Sequence, residues 1–414
     1  MKSELPIWAA GLCVGGLVVF ELVLFEGSSP TDWLWDFLNA YYLAGQAALN
    51  NDPSALRDLI GKGATGFVNI PIVAYWFSPF ALLPPQPAAW VFTALGLASV
   101  VAAWFLLVRL AGLELRERWL LAVLFLVNGS LLNGIKFGNL SYFILFVLAA
   151  GLALVRRERS AAAGVLLGLG AVVKPSLVLF GLFFLLRRDF KGLVGFLVAG
   201  VATAILSLMV YGWSDNLNWF ETCIVRYSHG WLPTFSVQSI SAFIFRLRDG
   251  IRIDHYDSLP QLPTSGENIL EKVLIGLLFI AAVTAWVRSV RFPDKDNDTQ
   301  SERRDLEYLL ILCLALVSSP LAWVHYYCWL LMPAAFFLGR WRRWPRSPFT
   351  YGLGWLAIAL TTPLIEHPAS LGALSRTAFY QSFAVSHFLF GGLLWFVLIA
   401  WWLATSRDKR VHRL

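Results

Sequence analysis

The stretch RRERSAAAGVLLGLGAVVKPSLVLFGLFFLLRRDFK, residues 156–191, places an apolar run between two basic clusters. Basic clusters beside apolar runs remain on the cytoplasmic side of a membrane, so both flanks of this run should lie on the same side. The run must then enter the membrane, turn at Lys174-Pro175 and return, because proline disfavours helix at the residue before it. This pattern predicts a broken hairpin whose non-helical tip is buried in protein or lines a cavity.

The rest of the chain is equally apolar. Of its 414 residues, 58% are hydrophobic and 14% are charged, whereas about a quarter of a soluble domain is charged. We predict an all-α polytopic membrane protein with about 10–12 transmembrane helices, since each span needs only about 20 apolar residues. No small-residue cleavage site follows the first run, so we interpret it as a helix and not as a signal peptide. Besides the hairpin, the predicted apolar segments are 6–26, 87–109, 119–134, 139–155, 191–211, 269–290, 306–320, 321–339, 349–364 and 381–404.

The basic residues indicate the orientation of the chain in the membrane. With the N-terminus in the cytoplasm, 23 of the 33 lysines and arginines fall in cytoplasmic loops, in agreement with the positive-inside rule. Both termini are then cytoplasmic, and two long loops, 27–86 and 212–268, are exterior. Their mixture of aromatic and apolar residues favours interfacial helices in contact with membrane lipid over flexible linkers. The placement of the basic residues also explains the net charge of +7 without a nucleic-acid partner.

The first exterior loop contains the leading catalytic candidate. In DWLWDFLNAYYLAG, residues 32–45, a helix would place Asp36, Asn39 and Tyr42 on one face. The aromatic neighbours desolvate the Asp36 carboxylate, which favours a raised proton affinity and suits a general base. The alternative is an interfacial helix cap or a solvated carboxylate, which is the role we expect for Asp32.

Two basic side chains within apolar runs are candidates for binding an anion. His325 lies in SSPLAWVHYYCWLL, residues 318–331, and Lys174 lies at the break of the hairpin. Ionisable residues inside membrane segments are costly and are functional candidates by default. The alternatives are a histidine satisfied by a neighbouring helix and a lysine that extends to the interface.

Two exterior segments hold further polar candidates. NGIKFGNLSYF, residues 133–143, contains Asn139, and FSVQSISAFIFRL, residues 235–247, contains Gln238 and Arg246. The alternatives are a simple turn for the first and an amphipathic interfacial helix for the second.

Other catalytic motifs are missing from the sequence. It contains no Walker loop, HExxH or GxSxG pattern, and its four cysteines show no metal-ligand spacing. We therefore predict no metal, no other cofactor and no disulfide framework.

Several segments, taken in chain order, resemble elements of one family. They are DFLNAYYLAG (36–45), YWFSPFALLP (75–84), FGNLSYFILF (137–146), GVLLGLGAVVKPSLVLFGLFFLLRRDFKG (164–192), VQSISAFIFRL (237–247) and SSPLAWVHYY (318–327). The ordered set resembles the GT-C superfamily of membrane glycosyltransferases. Within it, the set is similar to glycosyltransferase family 87, the polyprenol-phosphate-mannose-dependent mannosyltransferases. The chain departs from the family pattern where Gly138 meets Asn139 without an intervening Gln, where Lys174 adjoins Pro175, and where Val237 replaces an Asn.

The resemblance implies a GT-C-type bundle in one transmembrane domain, 1–414. It also implies inverting transfer of a hexose, mannose in the family, from a polyprenyl-phosphate donor to a hydroxyl of a lipid or glycan acceptor. The reaction would take place at the outer face of the cytoplasmic membrane. Carried over to this sequence, Asp36 would be the base and His325 would hold the donor phosphate. Weaker contacts to phosphate or sugar would come from Lys174, Gln238, Arg246, Asn139 and Tyr42. A transporter or flippase of lipid-linked sugars would share the helices and the intramembrane cations, and is the alternative.

Overall fold

The architecture is helical in every part of the chain that the structure describes. A computed structural model describes residues 33–232, 234–250, 260–290, 297–340, 348–363 and 377–405. The predicted helix 6–26 and Asp32 lie outside these residues. Within them no strand forms, and the extended pairing is limited to two isolated antiparallel bridges, Trp231–Gln261 and Val237–Trp323. The prediction of an all-α membrane protein is confirmed.

The helices follow one another with short connections. The first exterior loop contains a π-helix, short α-helices and 3₁₀ turns: Phe37–Tyr42, Leu43–Leu49, Pro53–Gly61, Gly63–Thr65, Pro71–Trp76 and Ser78–Ala81. The helices up to the end of the hairpin are Pro85–Ala111, Leu115–Val127, Gly129–Phe137, Ser141–Arg156, Ser160–Val173, Pro175–Val178 and Leu179–Leu186. The remaining helices are Phe190–Trp219, Phe220–Val225, Arg226–His229, Ile240–Asp249, Ser265–Val290, Asn297–Val317, Val324–Leu330, Leu331–Arg340, Pro348–Thr361, Tyr380–Ala384 and His387–Thr405.

Four described helices are long and apolar enough to cross a membrane alone, and they are Pro85–Ala111, Phe190–His229, Ser265–Ser289 and His387–Thr405. The pair Leu115–Val127 and Gly129–Phe137, bent by 48°, makes a fifth span if it is counted as one. Several other predicted segments form apolar helices of only 10–17 residues. By the length and composition of its helices, the described part of the chain therefore has fewer membrane spans than the 10–12 predicted. The reason is that several predicted segments form helices that are short or broken.

The hairpin is interrupted at the residue that the sequence indicated. Helix Ser160–Val173 ends immediately before Lys174, whose backbone is extended (φ −130°, ψ 92°). A 3₁₀ turn begins at Pro175 and leads into Leu179–Leu186. The proline explains the break, since its ring disfavours the helical conformation at the preceding residue.

Three segments predicted to end in the cytoplasm meet at one place. Arg156 donates to the carboxylate of Asp305 at 2.5 and 2.8 Å. Glu307 accepts from Arg187 and, at 2.9 Å, from Arg303. Both carboxylates are fully buried, while the arginines remain partly exposed. These ion pairs hold the three segments together at one end of the bundle.

The two predicted exterior loops pack against each other. The helix that begins at Phe190 is broken at Gly212 (φ 71°, ψ 179°), where the second loop was predicted to start. Beyond the break, Asp215 accepts from Arg57 at 2.8 Å, and the indole of Trp219 donates to the carbonyl of Val68 at 2.9 Å. The loops therefore form a structured layer on the helices.

Candidate active site

A cavity of about 1120 Å³ lies beneath this layer of loops. Its walls come from both predicted exterior loops, the hairpin tip, the 133–139 segment and the segment around His325. Four of the seven predicted site residues line it: Asp36, Asn139, Lys174 and His325. The topology thus gathers side chains that are up to 289 positions apart in the sequence.

The position of Asp36 depends on a close approach between two segments. Helix Gly129–Phe137 ends at Gly138, which adopts the left-handed conformation (φ 67°). The backbone N–H of Leu34 donates to the carbonyl of Lys136 at 2.7 Å. A Cβ at position 138 would lie only 2.9 Å from the Cβ of Phe37. Glycine is therefore needed here for its conformation and for the space it leaves, and the contact places Asp36 beside Asn139.

Asn139 connects the predicted base to the predicted cation. Its Nδ2 donates to Asp36 Oδ2 at 2.6 Å, and its Oδ1 accepts from Lys174 Nζ at 3.1 Å. The same Oδ1 accepts from the backbone N–H and the hydroxyl of Ser141. The amide oxygen is fully engaged within the protein. The structure therefore places Asn139 between Asp36 and Lys174 on the cavity wall, and its predicted contact to the donor stays a prediction.

Lys174 is held against an aromatic side chain. Its side chain is 4% exposed, and Nζ lies 4.4 Å from the centroid of the Tyr326 ring. A cation over an aromatic face is attracted by the negative ring surface. The ammonium group therefore keeps two protein partners, Asn139 and Tyr326, while it lines the cavity.

The environment of Asp36 suits a proton acceptor. The residue lies outside the spanning helices, and burial of its carboxyl raises the pKa above the ordinary value. The hydrogen bond from Asn139 and the charge of Lys174 lower that pKa part of the way back. A carboxylate with a raised pKa has a greater proton affinity, yet these two partners favour its ionised form.

His325 lines the cavity and has one ring nitrogen without a hydrogen-bond partner within the residues that the structure describes. The residue lies in the 3₁₀ helix Val324–Leu330, and its ring stacks on Trp323 with centroids 6.1 Å apart. Nε2 is buried and finds no hydrogen-bond partner among the described residues. Ser176, next to the hairpin break, lines the same cavity. Its hydroxyl oxygen is also buried without a hydrogen-bond partner among the described residues. These atoms, with Lys174, are groups that a bound anion would satisfy.

Three predicted site residues lie outside the cavity lining. The hydroxyl of Tyr42 donates to the carbonyl of Leu83 at 2.9 Å. Gln238 donates through Nε2 to the carbonyls of Phe235 and Val385. Arg246 is 1% exposed, and its guanidinium donates to two backbone carbonyls and to a serine hydroxyl. Gln238 and Arg246 thus hold the backbone of the segment whose Phe235 and Ser236 line the cavity.

Several cavity residues were not singled out from the sequence. They include Asn69, Ser176 and Tyr326. Ser176 follows Lys174-Pro175 directly and Tyr326 follows His325, so proximity to a candidate was an available signal for both. Asn69 is a lone polar residue in the apolar run FVNIPIV, residues 67–73, and nothing in that pattern distinguishes it from a surface position.

The described residues near the cavity include no set of metal ligands. In the described parts of the chain, no group of three His, Cys, Asp or Glu residues could hold a metal ion. Cys223, Cys313 and Cys328 are free thiols and buried. The cavity is thus described by the carboxylate, amide and basic groups above.

Comparison with known proteins identifies relatives of the chain. The family model of glycosyltransferase family 87 matches residues 67–320. A polyprenol-phosphate-mannose-dependent alpha-(1-2)-phosphatidylinositol mannoside mannosyltransferase of Mycolicibacterium smegmatis is 27% identical over 319 residues, 71% of this chain and 67% of the relative. The protein of the same description from Mycobacterium tuberculosis is 28% identical over 300 residues, 67% of this chain and 63% of the relative.

A shorter match indicates the range of chemistry among the relatives. An alpha-(1->3)-arabinofuranosyltransferase of Corynebacterium glutamicum is 30% identical over 153 residues, 34% of this chain and 37% of that protein. The chain spans about two thirds of the length of the two mannosyltransferases and 37% of the arabinofuranosyltransferase. All three relatives are described as glycosyltransferases.

Proposed function

This chain belongs to glycosyltransferase family 87, and we propose that it transfers a hexose, mannose in the first instance, from a polyprenyl-phosphate donor to a hydroxyl acceptor. The proposed acceptor is a lipid or glycan at the outer face of the cytoplasmic membrane, and the transfer inverts the anomeric centre. The two mannosyltransferase relatives are described as polyprenol-phosphate-mannose-dependent phosphatidylinositol mannoside mannosyltransferases. Those descriptions support mannose as the donor sugar and a glycolipid as the acceptor.

One observation carries the proposal: a carboxylate, an amide and an ammonium group form a connected series on the wall of a single cavity. Asp36 contacts Asn139, and Asn139 contacts Lys174. Transfer from a phosphate-linked sugar needs a proton acceptor for the incoming hydroxyl and positive charge near the departing phosphate. The series supplies both.

The cavity also has an apolar wall that suits a lipid donor. Phe279 and Ile275 line it from the spanning helix Ser265–Val290, and Val178 and Leu179 line it from the hairpin. Val178 is 60% exposed. A polyprenyl chain cannot leave the bilayer without exposing its apolar surface to water. We propose that the polyprenyl chain of the donor lies along this wall while the sugar phosphate enters the cavity.

The reaction would follow a single displacement. Asp36 accepts the proton of the acceptor hydroxyl while the oxygen attacks C1 of the donor sugar from the side opposite the phosphate. The C1–O bond to phosphate breaks, and its electron pair leaves with the polyprenyl phosphate. Attack from the opposite side inverts C1. The new bond is a glycoside, and the proton is released from Asp36 in a later step.

Lys174 and His325 would act on the leaving phosphate. Negative charge grows on the bridging oxygen as the bond to C1 breaks, and a fixed cation or donor nearby stabilises it. The unpartnered Nε2 of His325 is available for a hydrogen bond to a phosphate oxygen. The proposal predicts that His325→Ala raises the KM for the donor more than the KM for the acceptor.

Product identification tests the proposed function directly. Purified protein in lipid vesicles is incubated with polyprenyl-phosphate mannose and a lipid extract, and products are identified by mass spectrometry. A new mannoside supports transfer. Movement of the donor between leaflets with no new glycoside would support the transporter alternative and contradict the proposal.

Substitution of the proposed base gives a second test. We expect Asp36→Asn to lower kcat by about 10³, within the range for loss of a general base, while donor binding persists. Asp58→Asn is the matched control, because Asp58 is an exposed carboxylate of the same loop that does not line the cavity. Equal turnover by Asp36→Asn and the wild type would remove the base assignment.

A further inference from the structure

We propose that the loop Lys62–Asn69 forms a carbohydrate-binding subsite for the acceptor, in which the Asn69 amide donates a hydrogen bond to a sugar hydroxyl. This inference deepens the proposed function and rests on it, since it assumes that a sugar-bearing acceptor enters the cavity beside Asp36. None of the residues of this loop was a candidate from the sequence.

The side chain of Asn69 is the first observation. It is 4% exposed and lines the cavity. Its Nδ2 is buried and has no acceptor in the described part of the chain. A buried amide that lacks a partner is unfavourable, so a cavity ligand that offers an oxygen to the Asn69 amide would be favoured.

The loop that carries Asn69 is held rigidly, which is the second observation. The indole of Trp219 donates to the carbonyl of Val68 at 2.9 Å. The N–H of Ala64 donates to the hydroxyl of Tyr227 at 2.7 Å, and the N–H of Phe67 donates to the carbonyl of Leu59 at 3.1 Å. A loop ordered before ligand binding loses little conformational entropy on binding.

The loop lies beside the proposed base. The Phe67 ring packs edge-on against Tyr41, with centroids 6.4 Å apart. Tyr41 follows Asp36 by about one helical turn and lines the same cavity. A sugar bound at Asn69 would therefore share the cavity with Asp36 and would be held by a segment distinct from the hairpin that holds Lys174 and Ser176.

The chemistry of the surrounding wall favours a sugar. Thr65, Gly66 and Asn69 of the loop line the cavity, as do the aromatic residues Trp35 and Tyr227. The Thr65 hydroxyl donates to the carbonyl of Lys62 at 3.1 Å and keeps its oxygen as an acceptor for a ligand. Neutral donors and acceptors satisfy sugar hydroxyls, while aromatic faces cover the apolar C–H surface of a ring. Lys62, the charged residue of the loop, is exposed at its edge.

Equilibrium binding of two probes tests the subsite. Octyl α-mannoside represents the acceptor sugar and polyprenyl phosphate represents the donor without its sugar, and each is titrated into the purified protein by calorimetry. We expect Asn69→Leu to weaken octyl α-mannoside binding by about fivefold to tenfold, as for one lost hydrogen bond. Polyprenyl phosphate affinity should remain unchanged, which also shows that the variant is folded.

Two further variants make the test specific. Thr65→Val removes a second polar group of the loop and should weaken octyl α-mannoside binding in the same direction. Asn50→Leu is the matched control, because Asn50 is exposed at the end of helix Leu43–Leu49 and does not line the cavity. Its affinity for both probes should equal that of the wild type.

The outcomes separate this inference from the proposed function. The subsite is overturned if the wild type does not bind octyl α-mannoside. It is also overturned if Asn69→Leu and the wild type bind octyl α-mannoside equally well. If binding depends on Asn69 but polyprenyl-phosphate mannose yields no glycoside, the subsite stands and the transfer proposal fails. If the glycoside forms and Asn69→Leu keeps the wild-type KM for octyl α-mannoside, transfer stands and the subsite fails.

Discussion

The amide of Asn139 can do what neither a carboxylate nor an apolar side chain of similar size can do at this position. Its nitrogen donates to Asp36 and its oxygen accepts from Lys174. A carboxylate at position 139 would be unable to donate to Asp36 when ionised, and a leucine would remove the hydrogen bonds to both Asp36 and Lys174. The bond to Asp36 lowers the pKa of that carboxyl part of the way back from the rise caused by burial, and the bond from Lys174 fixes the amide that makes it.

Removal of this amide should change the pH dependence of the reaction. The hydrogen bond from Asn139 lowers the pKa of Asp36, so Asn139→Ala should raise that pKa further. The base must be deprotonated to act. We therefore expect the acidic limb of the kcat/KM profile to move to higher pH, with the largest loss of activity on the acidic side of the profile.

A matched substitution separates this effect from general destabilisation. Asn50→Ala changes the same side chain at an exposed site away from the cavity, and its pH profile should match that of the wild type. An acidic limb that stays in place in Asn139→Ala would show that the amide does not tune the base.

At the scale of elements, a helix end positions the base. The left-handed conformation of Gly138 ends helix Gly129–Phe137 and turns the chain so that Asn139 meets the start of the Phe37–Tyr42 helix. The absence of a side chain lets the two segments come into contact. This turn is also where the sequence departs from the family pattern, because Gly138 and Asn139 are adjacent.

The effect of a side chain at this helix end can be measured. Gly138→Ala should lower stability by about 1–2 kcal/mol, the cost of the left-handed conformation, and the new Cβ would also press on Phe37 and Leu34. We expect transfer activity to fall well beyond the loss of folded protein, because Asp36 is displaced. Thermal unfolding and initial rates would be measured together.

Gly112 offers a matched control for backbone strain. It ends the long helix Pro85–Ala111 in the same left-handed conformation (φ 64°), and a Cβ there would meet no atom within 4 Å. Gly112→Ala should therefore lower the melting temperature and preserve the activity of the folded fraction. Equal activity in the two variants would exclude a role for the close approach at Gly138.

At the scale of the whole molecule, two polar clusters hold different sets of segments together. The buried carboxylates Asp305 and Glu307 join three segments that were predicted to end in the cytoplasm. The cavity gathers Asp36, Asn139 and other residues of segments that were predicted to be exterior. Both groupings agree with one orientation of the chain.

Labelling from each side of the membrane tests that orientation. Cysteine is introduced at one of two exposed positions. One is Lys62, at the start of the loop Lys62–Asn69, and the other is Lys191, which follows the hairpin. A membrane-impermeant maleimide should label Lys62→Cys in intact cells, and Lys191→Cys only after permeabilisation. The three described native cysteines are buried, and Cys13 would be replaced by serine. The reverse pattern would place the cavity in the cytoplasm and contradict the proposed site of reaction.

The sequence alone determined the class of the fold and the family. Apolar runs of spanning length require helices, since only helices and closed barrels satisfy the backbone in lipid. Lys174-Pro175 marked the break of the hairpin, and the ordered motifs identified the family that the family model confirms. These signals are local, because each depends on residues that are neighbours along the chain. The catalytic and binding roles of the candidate residues stay predictions.

Only the tertiary structure decided which polar side chains meet. Asn139 became a bridge and Arg246 a support for the backbone, while Asn69 entered the site without a signal in the sequence. A polar side chain acts according to its partners and its burial, and both depend on segments far away in the chain. The helical pattern places a residue on a face, but the packing of helices and loops determines what that face contacts.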